Sequence, residues 1–214
     1  MNVNRLKTHR ESLVVLIKAA YLLVGFPLLL LCGTVMLFSV TSDRTNHRMQ
    51  GDVAGTVLIW AAILIPVGMF VYSIVSRRSL LRKVVGALRS PEYFAPDETN
   101  ELYHVGDGKY LGIDIRNGTM LYVHKIRSGQ MDVIGLSMAD WTSKEVQGNV
   151  FKLYTKHPEL PMIQIRTPWA MRWYETLDAM TTKRYNTPQP FPQYVATHLT
   201  ALQSRHRVYI PTFS

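Results

Sequence analysis

The stretch KYLGIDIRNGTMLYVHKI, residues 109–126, decides the fold class. Leu111, Ile113 and Ile115 fall on alternate positions before Asn117-Gly118. Leu121 and Val123 alternate with Met120 and Tyr122 after it. Alternation sends successive side chains to opposite faces of a strand. Asn-Gly between two such runs is a strong signal for a two-residue hairpin turn. The reading is a pair of antiparallel strands over 109–116 and 119–126.

The same period extends outward in both directions. Glu101–Val105 is a short strand before the turn Gly106-Asp107-Gly108. After Ser128-Gly129 come strands at 131–137, 141–147, 150–155 and 162–166, with turns at Gly148-Asn149 and 157–161. A helix then starts, with Thr167 as N-cap and Pro168 in the first position. Trp169, Trp173, Leu177 and Met180 form one apolar stripe that would bury two tryptophans against the sheet. A proline-rich link at 188–192 leads to a second helix, 192–206, with Val195, Leu199 and Leu202 on one side, and to an extended tail at 208–211. The expected fold class is α+β. Seven short strands followed by a helix match a pleckstrin-homology-like domain, in which the helix plugs the end of a bent sheet. A plain antiparallel sheet with helices on one face is the alternative.

The residues before position 100 read differently. Residues 19–40 and 53–75 carry no charge, and each holds twelve Leu, Ile, Val or Phe. About 20 apolar residues cross a bilayer core. Twelve such residues contribute about −4 to −7 kcal/mol toward insertion. Pro27 and Pro66 are expected to kink these helices, which membrane helices tolerate. A cleaved signal peptide is a rival for the first stretch, but the apolar run is too long and no clean cleavage site follows. Gly51 and Gly55 form a GxxxG pair, and Gly25 and Gly33 add small surfaces for helix packing.

Charge sets the orientation. The 214-residue chain has a net charge of +9. Residues 1–89 hold eleven basic and three acidic residues, whereas the rest is nearly balanced, with thirteen against twelve. Basic residues flank the outer ends of both apolar runs, and the short loop between them is balanced. The positive-inside rule then puts both termini in the cytoplasm. The expected organisation is a basic N-terminus (1–18), a transmembrane hairpin (19–75, with an outer loop at 41–52), a basic amphipathic linker (76–99) and a cytoplasmic β-rich domain (100–214). In the linker, Arg77, Arg78, Arg82, Lys83 and Arg89 interleave with Leu80, Leu81, Val84, Val85 and Leu88. That pattern fits a helix lying on anionic lipid, or a plain continuation of the second span.

No chemistry-bearing motif emerges. Cys32 is the only cysteine, which excludes an internal disulfide framework. The seven histidines show no metal-ligand spacing, although His104 and His124 sit on separate strands that could approach. Asp107, Asp114, Asp132 and Asp140 would need to meet in a cleft to act as acid and base. No catalytic residue, metal ligand or cofactor follows. Tyr110, Arg116, Tyr122, Lys125 and Arg127 interleave aromatic and basic groups, but the near-neutral domain argues against nucleic acid. Trp141, Tyr154 and Tyr174 are candidate partner-binding aromatics, with core positions as the alternative.

The runs YLGIDIRNGTMLYVH (110–124), LYTKHPELP (153–161), AMRWYETLDAM (170–180) and FPQYV (191–195) resemble the entry (surface) exclusion proteins of I-complex conjugative plasmids, the ExcA-type family. The resemblance covers about residues 100–211. It implies a bacterial inner-membrane protein that blocks incoming transfer of a related plasmid. It would do so by recognising an inner-membrane component of the donor's conjugation apparatus. It implies binding rather than catalysis and carries over no site residues; a homo-oligomer stays open. The rival readings are a membrane-anchored subunit of a secretion or conjugation machine and an anionic-lipid-binding module.

Overall fold

The structure, a computed structural model, describes residues 9–41, 52–104 and 106–212. Most of the expected outer loop, the start of the basic N-terminus and Val105 lie outside the described residues. The chain divides into two compact units, Met1–Ser73 and Ile74–Ser214.

The first unit is helical. Helix α1 (His9–Ala20) leads through a π-helical turn, Tyr21–Gly25, into α2 (Phe26–Thr41). The Phe26 N–H donates to the Tyr21 carbonyl, five residues back. Pro27 follows at once. Its ring lacks an N–H and crowds the carbonyl four residues earlier, and a widened turn relieves such crowding. Helix α3 (Asp52–Leu88) instead runs unbroken through Pro66. Leu16–Thr41 and Val53–Leu88 are each long and apolar enough to cross a membrane. Among the described residues, every exposed large apolar side chain but four (Met162, Trp169, Met171 and Tyr209) lies between Leu13 and Val75. Gly33 is where α2 meets α3: a Cβ there would sit 3.2 Å from Ile59 and 3.4 Å from Ile63. Gly55 faces Met36, Gly25 faces only Tyr21 of its own helical run, and Gly51 is outside the described residues.

The second unit is α+β. Strands β1 (Glu101–His104), β2 (Lys109–Asp114), β3 (Thr119–Arg127) and β4 (Gln130–Ser137) form one antiparallel sheet in chain order. Strands β5 (Trp141–Gln147), β6 (Val150–Thr155) and β7 (Met162–Arg166) form a second. Helices α4 (Ala170–Thr181) and α5 (Phe191–His206) follow. The tail pairs with the start of β4, where the Met131 N–H donates to the Tyr209 carbonyl at 3.0 Å and the Tyr209 N–H to Gly129 at 2.8 Å.

The four-stranded sheet is buried on both faces. One face offers Leu111, Ile113, Met120, Tyr122, Ile134 and Leu136 to Phe151, Leu153, Ile163 and Ile165 of the second sheet and to Ala170, Trp173, Leu177 and Met180 of α4. The other face offers Tyr110, Leu121, Val123, Met131 and Val133 to Phe191, Val195, Leu199 and Leu202 of α5 and to Leu81, Val84, Val85 and Leu88 of α3. Helix α5 lies so close that a Cβ on Gly135 would fall 2.6 Å from Val195.

Three expectations are corrected. Residues 76–88 are not a separate membrane-surface helix: they continue α3, as the alternative reading had it, and Leu81, Val84, Val85 and Leu88 are fully buried in the domain core. Their spacing fits a membrane-surface helix equally well, because periodicity shows that a stripe is buried but not what buries it. The Asn117-Gly118 turn is longer than two residues, because Asp114 Oδ1 accepts the N–H groups of Arg116 (2.9 Å) and Asn117 (3.1 Å). β2 therefore ends at Asp114, and Gly118, at φ +67°, takes the left-handed position closing the turn. Finally, Trp169 is 42% exposed while Trp173 is buried. Trp169 precedes the first helical residue, so the stripe does not govern its direction. Thr167 caps nothing in the helix interior; its Oγ accepts the Trp169 N–H at 3.1 Å.

A chain starting at residue 100 lacks the four α3 side chains that cover one sheet face. It is expected to aggregate or melt without a cooperative transition in circular dichroism. A chain starting at residue 74 is expected to melt cooperatively.

Candidate partner-binding surface

The five basic residues expected at a membrane surface have different surroundings. Arg89 forms an ion pair with Glu101, whose Oε2 also accepts the Tyr110 hydroxyl at 2.8 Å. Burial opposes the Arg89 charge, but the Glu101 hydrogen bond and charge outweigh it and hold its pKa above the ordinary value. Burial first and then Glu101 push the Tyr110 phenol upward as well. This cluster ties the end of α3 to β1 and β2. The Arg82 guanidinium lies 6.0 Å from the centre of the Tyr103 ring, a cation–π distance. Arg77 donates to the Gly106 carbonyl at 3.4 Å. Arg78 and Lys83 are exposed.

The three candidate aromatics also separate. Trp141 packs against the core between the sheets, with its indole N–H buried and, among the described residues, without a partner. Tyr174, on α4, is part of a latch. Lys144 of β5 donates to its carbonyl at 2.7 Å and to Asp178 at 2.8 Å, with the ammonium 4.0 Å from the Tyr174 ring centre. Tyr154 stands on the outer face of the three-stranded sheet. Its hydroxyl donates to Glu145 at 2.9 Å, and that hydrogen bond is the main cause of its raised pKa.

This outer face is a regular grid. Register places Tyr154 between Ser143 and Met162, Lys152 between Glu145 and Gln164, and Val150 between Gln147 and Arg166. Lys152 donates to Gln147 Oε1 at 3.0 Å and lies 3.6 Å from Glu145. All nine residues are half-buried or exposed, whereas both faces of the other sheet are covered. The sequence reading singled out Tyr154 but missed Met162, Trp169, Met171 and Tyr209, each more than a third exposed. Met162 was legible, since β7 alternates and Ile163 and Ile165 claim its inner face. The exposure of Trp169 was not, because it turns on where the helix begins.

The acid and histidine candidates fall in different places, and Asp132, buried in β4, is registered opposite His124 of β3. Asp114 caps the 115–118 turn and also accepts from Ala95 at 2.8 Å. Asp140 accepts from the Ser137 N–H at 2.7 Å, and Asp107 sits 3.3 Å from His104. His104 and His124 each pair with Lys109 across neighbouring strands, which sets them two strand spacings, about 10 Å, apart. Among the described residues no three His, Cys, Asp or Glu gather as a metal site.

The second unit is thus a compact α+β domain with its own core and, among the described residues, one sheet face uncovered. The family described as exclusion-determining protein matches residues 1–214, and the chain belongs to that family. This family supports an exclusion role and is not an enzymatic one. No curated protein matches the chain, and no solved structure does.

His206, at the end of α5, shows how the charges couple to stability. Burial first, then the charges of Arg205 and Lys83, lower its pKa. The unfolded chain therefore takes up this proton more readily. The stabilising effect of neutral His206 is present above about pH 6.5, the ordinary histidine value, and is lost as pH falls below it. Urea melts at pH 7.5 and 5.5 are expected to show a smaller loss of stability on acidification for His206→Gln than for the wild type.

Proposed function

We propose that this chain is a multi-pass protein of the bacterial inner membrane, with both termini in the cytoplasm. It blocks conjugative transfer of an I-complex plasmid into the cell by binding an inner-membrane component of the donor apparatus. The family match over the full chain carries the entry exclusion role. The membrane reading is supported by the apolar side chains of Leu16–Thr41 and Val53–Val75, exposed on both helices, which water would not tolerate. The balance of flanking charge supports the orientation. Four strands, then three, then a helix packed on the second sheet support a pleckstrin-homology-like domain.

The proposed contact surface is the free face of the β5–β7 sheet, centred on Tyr154 with Met162 and Lys152. Tyrosine offers a large, stiff, amphipathic contact, a common anchor in protein interfaces. Its neighbours provide both signs of charge.

The test is mating frequency into recipients that carry only this protein. Transfer from an I-complex donor is expected to fall at least tenfold against an empty vector, while transfer from an unrelated plasmid stays unchanged. Tyr154→Ala with Met162→Ala is expected to restore most of the transfer at an unchanged level of membrane protein. Equal transfer with and without the wild-type protein would contradict the proposal and favour a subunit of the cell's own machine.

A further inference from the structure

Two basic residues flank one turn of the second unit. Arg77 of α3 donates to the Gly106 carbonyl at 3.4 Å. On the same turn, the Gly108 carbonyl accepts the Lys125 N–H at 2.8 Å, and a Cβ on Gly108 would lie 3.3 Å from the Lys125 Cβ. Residues 106–108 are therefore flanked by Arg77 and by Lys125, which lie 48 positions apart in sequence. Both side chains are half-buried. Among the described residues neither has a carboxylate partner: the nearby Asp107 faces His104 at 3.3 Å. Burial first, then the charge of Arg77, lowers the Lys125 pKa. Like charges brought together without a counterion favour any anion that can sit against both.

The position of Arg77 indicates which anion. It lies two residues beyond Val75, the last residue of the uncharged apolar run, about 3 Å further along the helix axis. Headgroup phosphates lie just outside the hydrocarbon layer. Arginine and lysine are the side chains that bind phosphate, arginine as a fork and lysine as a point charge.

We infer that Arg77 and Lys125, flanking the Gly106–Gly108 turn, form a binding site for the phosphate of an anionic phospholipid headgroup. This rests on the membrane reading proposed above. It differs from a general basic patch because Lys125 comes from the sheet, so the bound lipid would link the folded domain to the headgroup layer. Arg89 and Arg82 take no part, since Glu101 and Tyr103 engage them.

The test uses the full chain. Membrane fractionation comes first, and wild-type protein in the soluble fraction would overturn the anchoring and with it the lipid source. Protein from the membrane is then melted in detergent micelles containing phosphatidylglycerol or, at the same fraction, phosphatidylcholine. The expected result is a melting temperature several degrees higher with phosphatidylglycerol. Arg77→Gln with Lys125→Gln is expected to lose at least half of that difference, while Lys152→Gln keeps it. If the double variant does not fold, Lys125→Arg, expected to keep the difference, and Lys125→Gln alone, expected to reduce it, make the same comparison. An equal shift in wild type and variant, or no lipid preference in a membrane-held chain, would overturn the site alone. The same rise in phosphatidylcholine micelles on adding inorganic phosphate would overturn the lipid assignment in favour of a free phosphate.

Discussion

The second unit depends on the burial of Leu81, Val84, Val85 and Leu88 against one face of the four-stranded sheet. A sheet needs cover on each apolar face. Here the second sheet and α4 cover one face. Helix α5 covers only part of the other, and the end of α3 completes it. Each of those four side chains contributes about 1.5–3 kcal/mol by leaving water, a large share of a typical domain's net stability. The Arg89–Glu101–Tyr110 cluster fixes the helix end where the chain turns into β1. The same helix carries the second of the two apolar stretches. The end of α3, from residue 74 on, therefore belongs to the folded domain.

Much of this was legible in the sequence. Strands β6 and β7 fall where alternation puts them, because each has a single buried face and period two is then unambiguous, whereas β5 has no fully buried residue and its register shifts between Trp141 and Ser143. Strands β2 to β4 were legible for a different reason. Both of their faces are apolar, so Met120 and Tyr122 alternate with Leu121 and Val123 without a polar side, and the turns at Asn117-Gly118 and Ser128-Gly129 supply the punctuation. The turn length was hidden because it depends on a carboxylate, Asp114, reaching forward to two backbone N–H groups. The role of 76–88 was hidden because a stripe of leucine and valine between arginines suits lipid and protein equally. The free sheet face was only partly legible. Tyr154 stood out as an aromatic, whereas Met162 becomes its neighbour only through the register of β6 and β7.

These features bear on exclusion as a binding event. Asp114 and Asp140 cap turns, Asp107 sits beside His104, and Asp132 is buried within β4 opposite His124. The patterned outer face of the β5–β7 sheet is the proposed contact surface.

Amide hydrogen exchange on the full chain in micelles tests the shared helix most directly. If Leu81–Leu88 belongs to the domain core, its amides exchange only by the opening that releases β2 to β4, and they are as slow as those strands. Rapid exchange at Leu81–Leu88 alongside protected β3 amides would contradict the account, because the helix end would then be a separable tether rather than part of the core.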